Sequence, residues 1–430
     1  MFLNLIGKVL GRNLFSLVEM LSKGVGWVSI VSLPLLISVS DFGVVALLYS
    51  AEIILGNLGV LGQDKYKLRH GSEEGDDPSY FIALVFVAGV GILVLAWAYL
   101  FYQESFLLVG LLVTGTVFSV LNKIHTMEAR VKGDIKDFAF HRFGILVFRF
   151  GLFYSLLLMN LDPALAFVVG FTVSASVFSL KRLITTFHYI FKGQVLARLG
   201  SINKALFFGA PVAVHLLAAS LLSHVDRFFI NKYIGAHDVG IYAFSFMLAS
   251  GITFLYAALA VQIEPLIYKN SSDIDRREYY ISLFGKWALL LVPLYAVALC
   301  VMGFLYDKLS GGFLDKIDPL VVVVALSVSV LNIIYLQSSY RLYALKKSAS
   351  ISAVTVISCV VNVSINWTAI PVFGIRAAVF SSLVSASLLA VAMSILSSSV
   401  SGLKKTKKDF IMLVGVWVFN IGLAVLVAWP

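Results

Sequence analysis

From Leu14 onward the chain alternates between long apolar runs and short polar or charged breaks. Runs of about 18 residues or more can cross roughly 30 Å of hydrocarbon as helices, and in lipid an open strand would leave its backbone groups unpaired. The pattern predicts six spans in the first half: Leu14–Ile37, Asp41–Gln63, Ser79–Phe101, Phe106–Ile124, Arg142–Met159 and Pro163–His188. After a basic loop it predicts Lys204–Leu222, Asp238–Glu264, Ser282–Tyr306, Pro319–Tyr340, Ile351–Ile370 and Ile375–Ser399, with 226–234 as an irregular or helical connection. One further span, Phe410–Trp429, closes the chain.

The two halves restate one another. Asp-Phe-Gly-Val-Val-Ala at Asp41–Ala46 returns as Asp-Val-Gly-Ile-Tyr-Ala at Asp238–Ala243, 197 positions on, each time at the start of an apolar run. The expected fold class is therefore an all-α polytopic membrane protein, with about 12 transmembrane helices, or 13 with the last, in two six-helix lobes made by internal duplication. The expected division is 1–200 and 201–402 for the lobes, with 403–430 a basic loop and extra C-terminal helix. Composition agrees: 60% of residues are hydrophobic, 13% are charged, and the mean hydropathy is +0.95, which a soluble core of this size could not absorb. The N-terminal stretch does not read as a cleavable signal peptide, because it holds Glu19 and Lys23 and lacks a small-residue cleavage site.

Charge sets the expected topology. Most of the 33 basic residues fall in breaks on one side, and only Arg227, Lys232, Lys308, Lys316 and Arg376 fall on the other. By the positive-inside rule the N-terminus is cytoplasmic, and the expected location is a bacterial inner membrane. The net charge of +10 is then the signature of cytoplasmic loops beside anionic lipid and calls for no nucleic acid. Cys300 and Cys359 lie in apolar spans and suggest neither disulfide nor metal, and the seven histidines show no ligand-pair spacing. No Gly-x-x-x-x-Gly-Lys-Ser/Thr loop is present. No metal and no cofactor are expected. The longest outer connection, Asp307–Asp318, is too short for an exposed catalytic domain, so a membrane transporter is expected rather than an enzyme that makes bonds.

The informative residues are the charges within spans, which cost at least a few kcal/mol each and face a bundle interior or a water-filled cavity. Arg12, Ser16, Glu19, Lys23 and Gly26 recur at three and four, so the first helix has one polar face, on which Glu19 and Lys23 can pair. Tyr49, Glu52, Gly56, Gly59 and Gln63 make a similar stripe on the second, with Glu52 near mid-span. Arg142 and Arg149, seven apart, share a face of the fifth. For Glu52 and Arg149 both a cavity lining and a buried partner bond that locks the bundle stay open. For His215, near Pro211, a hydrogen-bonded structural role is favoured over proton coupling.

Three stretches resemble a known family. Val361–Ala378, VNVSINWTAIPVFGIRAA, is similar to the last helix pair of oligosaccharide-lipid flippases; Asp226-Arg227-Phe228-Phe229-Ile230 with Gly235, Val239–Tyr242 and Pro265 resembles their seventh and eighth helices; Phe42-Gly43 resembles their first pair. The chain thereby resembles the polysaccharide-transport branch, the Wzx-type O-antigen flippases, of the multidrug/oligosaccharidyl-lipid/polysaccharide exporter superfamily. Arg376 departs from it, where a small residue is usual.

The resemblance implies two six-helix lobes in a V around a central cavity, and as substrate an oligosaccharide joined through a diphosphate to a polyprenol. Its other implied partners are membrane lipids, a polysaccharide polymerase and chain-length machinery. Each sugar hydroxyl taken unaided into hydrocarbon would cost on the order of several kcal/mol, so such a repeat unit needs a polar path. The expected diphosphate contacts are Arg149, Lys23 and Arg12, since guanidinium suits phosphate bidentately. Glu52 and Glu19 are the candidates for ion coupling, and Tyr49, Asn362 and Asn366 for sugar contacts, although buried Asn is also interhelical glue. Export of two negative charges is itself downhill by about 2.3 kcal/mol per charge per 100 mV, so membrane potential and ion coupling both remain open as drive. The alternatives are a cation-coupled multidrug or metabolite exporter of the same superfamily, which would want an acidic cavity, and a membrane-embedded polymerase or ligase, which would want a large outer loop.

Overall fold

A computed structural model describes residues 2–70, 78–101, 106–191, 199–270, 272–310, 317–345 and 347–401. Among the described residues there are α-helices and one short 3₁₀ turn, and no strand. The helices are α1 (Phe2–Val31), α2 (Val39–Gly59), α3 (Gln63–His70), α4 (Ser79–Phe101), α5 (Phe106–Lys132), α6 (Ile135–Leu158) and α7 (Pro163–Phe191). They continue as α8 (Leu199–Tyr233), α9 (Ala236–Ser250), α10 (Ile252–Lys269), α11 (Ile274–Ser310), α12 (Pro319–Ala344), α13 (Ser348–Phe373) and α14 (Ile375–Ser401). Eleven stretches of these are long and apolar enough to cross a membrane: α2, α4 to α8, α9 with the start of α10, and α11 to α14. The chain is a multi-pass membrane protein. The first predicted span lies on α1 and the turn after it, and the thirteenth, Phe410–Trp429, lies outside the described residues.

Polar residues at the breaks start and stop the helices. Ser38 Oγ accepts from the Asp41 N–H at 3.1 Å and donates to its carboxylate at 2.6 Å, capping α2. Asp162 before Pro163 accepts from Leu165 N at 2.9 Å, and Asp318 before Pro319 accepts from Leu320 N at 2.9 Å. Many large apolar side chains stay exposed, among them Leu93, Leu100, Val147, Phe207 and Trp367, as a lipid-facing surface requires.

Of the two readings left open for the 226–234 connection the structure has the helical one, to Tyr233, as part of an α8 that runs unbroken through Pro211. It corrects three boundaries. The single span predicted over Asp238–Glu264 is two helices, broken where Tyr295 donates to the Leu248 carbonyl and Trp27 Nε1 takes the Met247 carbonyl at 2.9 Å, so side chains replace the helical ladder. The stretch after Gln63, read as loop, holds α3, whose Gln63 and Lys67 are buried. Finally, α5 continues to Lys132 and α6 begins at Ile135, so the residues from His125 to His141, read as a cytoplasmic connection, are helical apart from a tight turn. Gly133 makes that turn at φ +75°, a conformation costly for any residue with a Cβ, and Asp134 caps α6 by accepting from Asp137 N at 3.0 Å.

The chain divides into two compact units, Met1–Gly26 with Leu47–Ser220, and Trp27–Ala46 with Leu221–Pro430. In the first, Val60, Ala83, Val87, Val120 and Ile124 form a core cluster where α2, α4 and α5 meet. In the second, Ile252, Tyr256, Ile281, Phe284, Ile333 and Tyr340 join α10, α11 and α12. Within this second unit the two copies of the repeat touch. A Cβ on Gly43 would stand 1.9 Å from the Ala236 carbonyl oxygen, and one on Gly240 would stand 2.1 Å from that of Val39. Both pairs are related by the same 197-residue shift, and this reciprocity is what a two-fold relation between copies produces.

Candidate functional site

The charged residues of the predicted spans meet inside the first unit. Glu52 lies 13 residues into α2, and Arg149 nine residues before the end of α6, so both are several turns from water at a helix end. Arg149 grips Glu52 bidentately, Nη1 donating to Oε1 at 2.9 Å and Nη2 to Oε2 at 2.6 Å. The guanidinium lies against aromatic faces of α7, 4.7 Å from the Phe167 centroid and 4.8 Å from that of Phe171. Its Nε is buried and has no hydrogen-bond partner. The pair is shielded, with side-chain exposures of 8% for Arg149 and 14% for Glu52.

Two helical turns before Arg149, about 10 Å down α6, Arg142 Nη2 meets the Glu19 carboxylate of α1 at 3.0 Å. Glu19 also takes Lys23, four residues on, at 3.3 Å, as the spacing predicts. Lys23 is the more open of these cations, its side chain 40% exposed. The side chain of Arg12 lies outside the described residues. Tyr49, one turn before Glu52, sets its ring edge-on to Phe167 at 6.4 Å.

A fourth cation was not singled out by the sequence reading. Lys123, near the cytoplasmic end of the predicted span Phe106–Ile124, sits within α5 and donates from Nζ to Asn57 Oδ1 at 3.0 Å, while Asn57 Nδ2 donates to Ser220 Oγ at 2.7 Å. The signal was available in principle, because the apolar period continues through Leu121, Ile124 and Ala129, all buried. Unit one thus carries alternating acids and bases on α1, α2, α5 and α6, with each acid already engaged.

Asn362 and Asn366 belong to the second unit and are fully buried. Asn366 Nδ2 donates to Asn362 Oδ1 at 3.0 Å, Asn362 Nδ2 to Ser385 Oγ at 3.1 Å, and Ser381 Oγ to Asn366 Oδ1 at 2.5 Å. This closed network ties α13 to α14. Arg227, counted from sequence among the outer-face charges, is buried as well, its Nη1 3.1 Å from His224 Nδ1, and Tyr242 donates to the neighbouring Asp226 carboxylate. Arg376 is exposed beside buried Ala377 and Ala378, so its bulk leaves the α13–α14 turn undisturbed.

Comparison with known proteins finds a family model that matches part of the chain. Residues 143–271, which include Arg149 and run from α6 to the end of α10, match the family described as polysaccharide biosynthesis protein. The protein described as "Lsg locus putative protein 1" of Haemophilus influenzae (strain ATCC 51907 / DSM 11121 / KW20 / Rd) is 28% identical to this chain over 210 residues, 48% of this chain and 43% of that protein. The match therefore spans less than half the length of that relative. The structure titled "Lipid II flippase MurJ, inward closed conformation" has a TM-score of 0.61 at 12% identity, covering 96% of this chain and 98% of that one. An inward-facing multidrug resistance MATE family transporter of the MOP superfamily has a TM-score of 0.57 at 15% identity, over 91% and 94% of the two chains. At such identities the chain shares with both their fold.

Proposed function

We propose that the protein is a flippase that moves polyprenyl-diphosphate-linked oligosaccharide units from the cytoplasmic to the outer leaflet, for O-antigen or another surface polysaccharide. The family match over residues 143–271 supports the polysaccharide pathway, and a lipid II flippase among the structural neighbours supports a lipid-linked cargo. The observation that carries the reading is the bidentate Arg149–Glu52 pair with an unfilled Nε donor. A lone buried guanidinium would be expensive to desolvate, whereas a neutralised one can wait within the membrane. Diphosphate can then replace carboxylate at Arg149 if Glu52 takes up a proton or small cation, so that one anion is exchanged for another. Lys23 and Lys123 supply further positive charge in the same unit, and Tyr49 a hydroxyl for sugar. Asn362 and Asn366, spent on each other and on serines, serve better as glue between α13 and α14.

The same reading sets the N-terminus in the cytoplasm of a bacterium, with the basic α3 and α5–α6 turn on that side of the inner membrane. A polysaccharide polymerase and its chain-length partner would take the product on the outer side. The second reading, a cation-coupled exporter, is favoured by the MATE likeness. Translocation of a fluorescent polyprenyl-diphosphate oligosaccharide in proteoliposomes separates the two. The flippase reading expects transport by wild type and loss in Arg149→Ala; transport of an amphipathic cation, with none of the lipid, would replace it with the exporter.

A further inference from the structure

The turn between α5 and α6 brings together three side chains that sequence spacing left unpaired. His125 lies on the last turns of α5, and Asp137 and His141 lie four apart on the first turns of α6. Sixteen residues separate the two histidines, a spacing that becomes a contact only because the chain folds back at Gly133. His125 Nε2 stands 3.0 Å from Asp137 Oδ2, His141 Nε2 stands 3.5 Å from Asp137 Oδ1, and a ligand atom of each residue lies within 4.8 Å of the others.

We propose that His125, Asp137 and His141 form a binding site for a divalent transition metal ion, Zn²⁺ by its donor chemistry. Metal bonds of about 2.0–2.1 Å in a tetrahedron place neighbouring donors about 3.3–3.4 Å apart. The two distances to the Asp137 carboxylate, 3.0 Å to one oxygen and 3.5 Å to the other, lie on either side of that length. The third edge closes by rotation of two rings whose centroids are 4.2 Å apart. His141 is also prepared on its far side, where Nδ1 lies 2.9 Å from Asn122 Oδ1. An amide oxygen only accepts, so Nδ1 carries the proton and Nε2 presents its lone pair toward Asp137, the tautomer that an outer-shell partner selects for a metal. His125 offers either nitrogen, since Nε2 faces Asp137 and Nδ1 is buried with no hydrogen-bond partner. The site has a dry back wall and an open front: the His125 side chain is 4% exposed and that of Asp137 36%. Two imidazoles, one carboxylate and one open position for water suit Zn²⁺. Two nitrogen donors of three weigh against Ca²⁺ or Mg²⁺, ions held by oxygen ligands.

The metal would clamp α5 to α6 beside the transport residues, because His125 is two residues from Lys123 and His141 adjoins Arg142. Bound metal would fix the register of the two helices that carry these cations and so regulate their exchange of partners. The test uses full-length, tag-free protein, stripped with chelator and titrated with Co²⁺. One Co²⁺ per chain is expected, with the visible absorption of four-coordinate cobalt, displaced by Zn²⁺, which binds such sites more tightly. His141→Ala and Asp137→Asn should abolish it, Asn122→Leu should weaken it by about 10–100-fold, and His215→Ala should leave it intact. Asp137→Asn preserves shape, so it decides the matter should His141→Ala fail to fold. No cobalt bound above the Asp137→Asn level, or equal binding in all variants, overturns the site.

Discussion

The Arg149–Glu52 pair makes a quantitative prediction that separates a buried ion pair from two independent polar residues. Both side chains are shielded and joined by two charge-assisted bonds of 2.9 and 2.6 Å. Removing one partner strands the other as a buried charge, which costs about 3–5 kcal/mol, while replacing both by uncharged residues of similar volume is often near neutral. The two single variants should differ. In Glu52→Gln the guanidinium keeps one amide acceptor and the Phe167 and Phe171 faces, and a desolvated cation–π contact is worth about 2 kcal/mol. Its cost should fall toward the lower end of that range. In Arg149→Met the carboxylate loses both of its donors and the full cost is expected. The double variant should cost less than Arg149→Met alone, a coupling of several kcal/mol. Unfolding free energies in mixed micelles, measured on wild type, both singles and the double, provide the cycle. Additive singles, or a Glu52→Gln variant less stable than Arg149→Met, would refute the argument. In proteoliposomes the same Glu52→Gln variant should still bind the lipid diphosphate but lose any dependence of flipping on the proton gradient.

Two further outcomes follow from particular contacts. Lys123→Met, which removes a cation bonded to Asn57 at 3.0 Å while Asn57 keeps Ser220, should fold with wild-type helicity and slow lipid translocation by about 10–100-fold, the worth of one charged hydrogen bond of about 1.5–3 kcal/mol; unchanged initial rates would remove Lys123 from the site. Gly43→Ala and Gly240→Ala each force a Cβ into a carbonyl at about 2 Å and should each destabilise by about 1–3 kcal/mol. Because the two glycines share one contact, the double should cost less than the sum in a thermal-unfolding series, and full additivity would argue against a shared crossing.

Much of this architecture is legible in one dimension. In a bilayer each backbone group must be satisfied within its own segment, so apolar runs translate almost directly into helices. That is why the spans begun by Ser79, Phe106, Pro163, Pro319 and Ile375 start where the pattern places them. The repeat is legible for a similar reason, since Gly43 and Gly240 are pinned by steric necessity and survive as a recognisable pair. The Glu19–Lys23 pair follows from helical spacing alone.

Partners distant in sequence are decided only by tertiary packing. Nothing in the spacing of Glu52 and Arg149, 97 residues apart, says that one neutralises the other; that depends on how α2 and α6 pack. His125 and His141 looked like loop residues because polar side chains there mask a helical period that burial preserves. Asn362 and Asn366 looked like ligands for sugar until α14 presented serines to them. Sequence by itself therefore determined the class of the protein and its helices, because lipid imposes those one segment at a time. Which charge faces which, and so where an anion or a metal could be held, was decided by the tertiary structure, because such pairs form between helices whose relative rotation no single segment encodes.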